Sequence, residues 1–141
     1  AFRYRFLDGK VVLFDRIDTA FTYLNPETEL FKVVNVPMKD DISEYVALAV
    51  KTANEQKEYF TGPLGNDVFQ CSPMPWVTYT HISHTNSGKK DNATPLFDWG
   101  KYYEKDGRLF IPISVQAHHS FVDGLHIGRF VEKLQTFFDE Y

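Results

Sequence analysis

The chain has 141 residues, of which 43% are hydrophobic and 16% aromatic, so it is long and apolar enough to form a single domain over residues 1–141. Its formal charge of −4, with no basic cluster beyond Lys89 and Lys90, disfavours nucleic acid or an anionic membrane as a partner. Cys71 is the only cysteine, and no apolar run is long enough to span a bilayer, so we expect a cytoplasmic protein without intrachain disulfides.

The first predicted element is a β-hairpin over residues 2–15. Apolar residues alternate along FRYRFLDGKVVLFD on both sides of Asp8-Gly9, a dipeptide that is favoured where a hairpin turn needs positive φ. A further strand is predicted from Phe31 to Val36.

A helix is predicted next, within DDISEYVALAVKTANEQKEYF, residues 40–60. Asp41 and Glu44 have the spacing of a capping box, in which two side chains satisfy the free amides of the first helical turn. Apolar side chains then recur on one helical face, and they are Ile42, Tyr45, Ala49 and Ala53.

The next segments predict a loop and a second hairpin. The polar stretch TNSGKKDNATP, from Thr85 to Pro95, is typical of a loop. Asp106-Gly107 predicts a hairpin turn, which joins a strand through Tyr102 and Tyr103 to a strand that runs from Leu109 to about Ala117.

The C-terminal residues predict an amphipathic helix that packs on the core. Its apolar face repeats with the helical period and consists of Ile127, Phe130, Val131, Leu134, Phe137 and Phe138. Strands mixed with two long helices indicate an α/β sandwich built on one sheet.

The stretch QAHHSFVDG, residues 116–124, lies where the predicted strand gives way to this helix. Side-chain alternation along the strand predicts that it ends at His118 and that His119 lies in the connection. Asp123 precedes the amphipathic run and is placed to cap its free amides. On local grounds alone, histidines at such a junction are more often hydrogen-bonded than catalytic.

Two other kinds of site compete for the histidines. A zinc site is conceivable because five histidines are available, but the single cysteine is distant in sequence and no HExxH motif is present. A serine or cysteine hydrolase is disfavoured because no GxSxG elbow occurs and Cys71 has no nucleophile signature around it.

Four motifs resemble those of the chloramphenicol acetyltransferases. QAHHSFVDGLHIGRFVEKLQ is similar to that family's C-terminal signature, a histidine pair followed by three residues and Asp-Gly. SPMPW, WGKYY and FTYLNPETELF resemble three further family segments, and all four occur in the family order along essentially the whole chain.

The resemblance implies a fold and a reaction. The fold would be the two-layer sandwich of the CoA-dependent acyltransferases, with a mixed sheet packed against helices. The reaction would be transfer of acetyl from acetyl-CoA, without a metal, to a hydroxyl of chloramphenicol or a similar small acceptor, which would confer resistance to that antibiotic. His119 matches the general base, Ser72 the donor to the oxyanion, and Asp123 an aspartate that holds the active-site backbone in place.

The resemblance also implies binding residues and an assembly. Phe31 and Phe60 match aromatic residues that line the acceptor pocket, whereas Trp76 and Tyr102 match positions near the coenzyme, although ordinary core packing remains open for those two. The family forms homotrimers with active sites between subunits, so His119 and Ser72 of one chain would serve different sites.

This chain departs from the family pattern at three pocket positions. Ile82 and His84 stand where the family usually has phenylalanine and leucine against the acceptor, and Asp98 replaces a threonine that binds an ordered water. We therefore expect a more polar pocket and consider an acceptor other than chloramphenicol. The family subunit also begins before the first hairpin, so we expect that an N-terminal part is missing here.

Two alternatives stay open. A dihydrolipoyl acyltransferase core uses a similar motif, but that family usually has Asp-His-Arg where this chain has His118-His119-Ser120. A non-catalytic binding or assembly module would keep the scaffold without turnover.

Overall fold

The computed structural model describes residues 1–62, 64–84 and 91–140, and a five-stranded mixed sheet is the centre of the fold. Two two-stranded hairpins flank this sheet, and two helices are present in the described ranges. In chain order the elements are β1 (Tyr4–Leu7), β2 (Lys10–Leu13), β3 (Asp18–Leu24), β4 (Phe31–Val36), α1 (Ile42–Glu55), β5 (Val68–Met74), β6 (Leu96–Gly100), β7 (Tyr103–Lys105), β8 (Arg108–Phe110), β9 (Ile113–Gln116) and α2 (Gly124–Glu140).

Both predicted hairpin turns are confirmed. Asp8 and Gly9 have φ values of 50° and 73°, and Asp106 and Gly107 have values of 52° and 71°. Two consecutive positive φ angles are those of a type I′ turn, whose twist matches that of the flanking strands.

The large sheet has the order β4-β3-β5-β6-β9, with the inner strands β3, β5 and β6 parallel and the outer strands antiparallel to their neighbours. Pro73 lies inside β5 and cannot donate a ladder hydrogen bond. It is tolerated because the pairing of β5 with β3 ends at Cys71, two positions earlier.

The helix α1 begins as the sequence predicts, since the Asp41 carboxylate accepts a hydrogen bond from the Glu44 amide at 2.9 Å. It ends at Glu55, before the predicted limit of residue 60. Gln56 then leaves the helix, and its side-chain amide donates to the Val33 carbonyl at 2.9 Å, which ties the helix end to the β4 edge.

Both helices cover the same face of the sheet, which makes the fold a two-layer α/β sandwich and confirms the predicted class. One row of paired residues crosses all five strands on this helix face. α1 covers one end of the row, where Ala53 packs with buried β4 side chains, and α2 covers the other, where Phe130 contacts Phe97 at 5.3 Å between ring centroids. The row consists of Val34, Phe21, Cys71, Phe97 and Val115.

The predicted core face of the C-terminal helix is only partly covered. Phe130 packs against Phe2 and Phe97, but Val131, Phe137 and Phe138 are exposed. No helix in the described ranges combines the length and the apolar character that a membrane span needs.

The strand predicted from Leu109 to Ala117 is two strands. Residues 108–110 pair with β7 in the second hairpin, whereas residues 113–116 pair with β6 in the large sheet. Pro112 lies between them, and its carbonyl accepts from the Gly100 amide at 3.0 Å. The strand therefore ends at Gln116 rather than His118.

A polar loop is predicted from the sequence over residues 85–95. Residues 85–90 of that loop lie outside the described residues.

The first hairpin is fastened to the large sheet by a buried arginine. The Arg5 guanidinium, 1% exposed, donates to the carbonyls of Asn66 at 2.7 Å and Val68 at 3.0 Å, and also to two carbonyls of its own hairpin. Burial lowers the pKa of Arg5. These bonds fix the hairpin beside the start of β5.

Candidate active site

His118 and His119 lie in the turn that follows β9, and the two rings have different surroundings. His118 is half-buried: its ring packs against Phe6 and Phe121, at 5.3 and 5.9 Å between centroids, and its Nδ1 accepts from the Ser120 amide at 3.2 Å. His119 is exposed. The first of the pair therefore anchors the turn, and the second is accessible to a substrate.

Aromatic packing from the first hairpin supports this turn. Tyr4 stacks on Phe121 at 5.6 Å, and Phe6 contacts the same ring at 4.7 Å. The His118 carbonyl accepts from the amides of Phe121 and Val122, which closes the turn onto the buried Val122 side chain. The position of His119 thus depends on a hairpin more than 100 residues earlier in the chain.

Asp123 caps α2, as the sequence predicts. Its Oδ1 accepts from the His126 amide at 3.1 Å, while the Asp123 amide donates to His126 Nδ1 at 3.2 Å. The arrangement is similar to a capping box with histidine in place of the usual glutamate, and His126 Nδ1 also lies 2.7 Å from Asp123 Oδ1. The His126 amide is the main reason why the pKa of Asp123 is lowered. Asp123 therefore positions the backbone that follows His119.

Ser72 lies on the sheet face opposite the helices, which we call the far face. Register pairs Ser72 on β5 with Asp98 on β6, and Asp98 with Ser114 on β9. Paired residues on neighbouring strands point to the same side of the sheet. The Phe97 ring packs on α2, and the next residue, Asp98, points to the opposite side. The row of Ser72, Asp98 and Ser114 therefore points away from the helices. Ser72 and Asp98 are on adjacent strands, whose backbones lie about 4.8 Å apart.

Asp98 is fully buried, at 0% exposure, and pairs with His84. The His84 Nε2 lies 2.9 Å from Asp98 Oδ1, and 36% of the His84 side chain is exposed. The other carboxylate oxygen, Oδ2, has no hydrogen-bond partner among the described residues. Two of the three pocket residues predicted to depart from the family pattern thus contact each other directly.

Residues 77–84 lie over this part of the far face, and Gly100 allows their close approach. A Cβ on Gly100 would be 2.7 Å from the Val77 carbonyl oxygen and 3.0 Å from the Tyr79 ring. The Tyr79 hydroxyl is buried, and burial followed by the charge of Asp98 raises its pKa. Neither Tyr79 nor Gly100 was predicted from the sequence. The available signal was Gly100 itself, since a glycine at a strand end can mark a close approach of another backbone.

Phe31 and Phe60 lie at the β4 edge of the sheet. Phe31 is the first residue of β4 and 57% exposed, while Phe60 is 60% exposed. The Val33 amide donates to the Tyr59 carbonyl at 2.9 Å, so the segment that carries Phe60 runs beside β4. Phe31 points to the far face, as Ser72 does, and strand geometry puts the backbones of the two residues roughly 12 Å apart.

Trp76 and Tyr102 lie at the end of the sheet where β5 and β6 finish. The Lys101 amide donates to the Val77 carbonyl at 2.7 Å, which puts the two segments side by side. Trp76 is 63% exposed and Tyr102 is 64% exposed, so neither ring packs in the core of this chain. Both rings are accessible to a ligand or a partner.

The structure brings Ser72, Asp98 and His84 together but separates His119 from them. β6 lies between the strand of Ser72 and the strand that leads to His119. Ile82 is half-buried in the segment that ends at His84. Across the described ranges, no three histidine, cysteine, aspartate or glutamate side chains are grouped so that they could hold a metal ion.

Comparison with known proteins relates this arrangement to one family. A chloramphenicol acetyltransferase from Escherichia coli is 29% identical over 143 aligned positions, which cover 99% of this chain and 65% of that protein. A solved chloramphenicol acetyltransferase structure superposes with a TM-score of 0.86 at 28% identity, over 96% of this chain and 68% of that one. This chain thus spans about two thirds of the length of the relatives it matches.

A more distant structure shares the fold alone. The cubic core of the pyruvate dehydrogenase multienzyme complex superposes with a TM-score of 0.64 at 15% identity, over 94% of this chain and 58% of that one. A family model for chloramphenicol acetyltransferase, in contrast, matches residues 1–135. On that match the chain belongs to the chloramphenicol acetyltransferase family.

Proposed function

We propose that this chain catalyses the transfer of an acetyl group from acetyl-CoA to a hydroxyl of chloramphenicol or a similar small acceptor. The observation that supports this most is the turn after β9, which presents His119 to solvent while His118 and Asp123 fix the backbone on either side. A histidine that serves as a general base must be accessible, and a well-held backbone on either side restricts where its ring can lie.

The reaction we propose is a direct transfer within a ternary complex. His119 takes the proton of the acceptor hydroxyl as its oxygen attacks the thioester carbonyl carbon. The tetrahedral intermediate then breaks its carbon–sulfur bond, and the CoA thiolate receives the proton from the imidazolium. The products are an acetyl ester and free CoA, and no covalent enzyme intermediate is needed.

The remaining site residues have supporting roles in this proposal. The Ser72 hydroxyl donates to the oxyanion of the intermediate, an interaction that is strongest when the donor is held in place beforehand. Phe31, Phe60 and Ile82 contact the acceptor, and the exposed rings at the ends of β5 and β6 contact acetyl-CoA. Those two rings are Trp76 and Tyr102.

We also propose a homotrimer in which His119 of one subunit faces Ser72 of the next. The separation of these two residues within one chain, with β6 between their strands, supports an active site shared between subunits. The exposed apolar side chains near β7, β8 and β9 would then be covered by neighbouring subunits.

Release of the CoA thiol by the full-length protein tests this function. With acetyl-CoA present, release should depend on chloramphenicol or a related alcohol and should be lost in His119→Ala. His81→Ala, which removes an exposed histidine elsewhere, is the matched control and should retain activity. Acetyl transfer to dihydrolipoamide instead would indicate the alternative acyltransferase, and CoA binding without release would indicate a binding module.

A further inference from the structure

The His84–Asp98 pair is a feature of the far face that the proposed mechanism does not use. Asp98 is fully buried, and its carboxylate has two oxygens that accept hydrogen bonds. One accepts from His84 at 2.9 Å, and the other has no partner in the described part of the chain. A buried carboxylate that is only half satisfied is costly unless a further group compensates its charge.

Two further ionisable groups among the described residues lie close enough to Asp98 to be affected by it. Burial raises the pKa of Cys71 to about 11 and also raises the pKa of Tyr79, and Asp98 contributes to both shifts. Both groups are therefore protonated and neutral near pH 7. Within the described ranges, the ionisable side chain in contact with the Asp98 carboxylate is His84, which is 36% exposed.

Contact with Asp98 also fixes the orientation of the His84 ring. When Nε2–H donates to the carboxylate, Nδ1 of the neutral ring is a hydrogen-bond acceptor, and no described residue donates to it. Register places the Ser72 backbone about 4.8 Å from that of Asp98 and on the same face. An acceptor molecule bound beside Ser72 would therefore lie near His84 Nδ1. The buried Asp98 carboxylate contacts the other nitrogen of the same ring.

We propose that the His84–Asp98 pair selects acceptor alcohols that carry a protonated amine close to the hydroxyl that is acetylated. The ammonium group donates to His84 Nδ1 and is attracted by the Asp98 charge. An amide at the same place has a weaker donor and no charge, so it gains less. This inference rests on the proposed acetyl transfer and concerns only the choice of acceptor.

The test compares two acceptors that differ at a single group. Chloramphenicol carries a dichloroacetyl amide, and its deacylated form carries a free amine in the same place. We expect the full-length protein to favour the amine, and the ratio of kcat/KM for amine over amide should fall about tenfold or more in His84→Leu. His84→Gln, which retains an acceptor oxygen, should keep part of the preference, and His81→Leu should leave the ratio unchanged.

Two results would overturn this inference. One is a wild-type preference for the amide, and the other is an equal loss for both acceptors in His84→Leu. Binding of the two compounds, measured by calorimetry without acetyl-CoA, makes the same comparison independently of turnover: weaker amine binding in His84→Leu supports the pair, and unchanged binding contradicts it. If no acceptor is acetylated in the kinetic assay, the proposed function is contradicted. The calorimetric comparison then tests on its own whether the His84–Asp98 pair prefers the amine.

Discussion

Two rows of residues, one on each face of the central sheet, differ in polarity. On the helix face, the row from Val34 to Val115 is apolar and lies under α1 and α2. On the far face, the adjacent row contains Ser72, Asp98 and Ser114. Neighbouring positions such as Phe97 and Asp98 therefore lie in different surroundings: Phe97 packs under α2, and Asp98 belongs to the polar row of the proposed site.

The helix face should dominate stability. Phe97→Ala removes a ring that contacts Phe2, Phe69 and Phe130 and should lower the free energy of unfolding by about 3 kcal/mol. Denaturant unfolding measures this loss. Val50→Ala, which truncates a side chain on α1 that is 55% exposed, should change little; equal losses in the two variants would contradict the assignment of the core.

The far face should dominate activity. Ser72→Ala removes the proposed oxyanion donor and should lower kcat about a hundredfold, because such donors act mainly in the transition state. The melting temperature should hardly change. Ser114→Ala, two strands away in the same row, is the control. A similar loss of kcat in that variant would contradict a specific role for the Ser72 hydroxyl.

Gly100 tests whether residues 77–84 must lie close to the far face. In Gly100→Ala the new methyl would meet the Val77 carbonyl at 2.7 Å and Pro112 at 2.9 Å, so the segment must shift, at a cost of about 2 kcal/mol. Gly128→Ala in α2 is the opposite case, since nothing lies within 4 Å of its added Cβ. That variant should be neutral or slightly stabilising. If Gly100→Ala were equally harmless, the segment would not pack as described.

The cap of α2 should have a smaller, pH-dependent effect. Because the pKa of Asp123 is lowered in the folded chain, its contribution is present at neutral pH and is lost as the pH falls through that lowered value. Asp123→Ala should therefore lower the melting temperature at pH 7, and the difference from wild type should shrink in acid. Asp15→Ala, at an exposed aspartate beyond β2, should show no such pattern.

Local sequence signals predicted the parts of the fold that local interactions form. The Asp-Gly turns, the Asp41 cap and the strand β4 depend on residues within a few positions of one another. The division of residues 109–117 at Pro112 was missed because it depends on which strand each half pairs with, and alternation alone does not encode that partner.

The candidate site shows the same limit. The capping role of Asp123 could be predicted from its position, whereas roles for His119 and Ser72 came from the family resemblance. No sequence signal indicated that His84 contacts Asp98, because the two are 14 positions apart and residue 84 lies outside regular structure. The close approach at Gly100 was equally hidden, since it depends on a segment that folds back over the sheet.

Subunit complementation tests most directly the claim that the far face of one chain works with the His119 turn of another. Ser72→Ala and His119→Ala, each nearly inactive alone, are unfolded together in equal amounts and refolded. In a cyclic trimer with shared sites, about a quarter of the sites would combine an intact Ser72 with an intact His119, so about a quarter of wild-type activity should return. Activity no higher than the mean of the two separate variants would contradict the account.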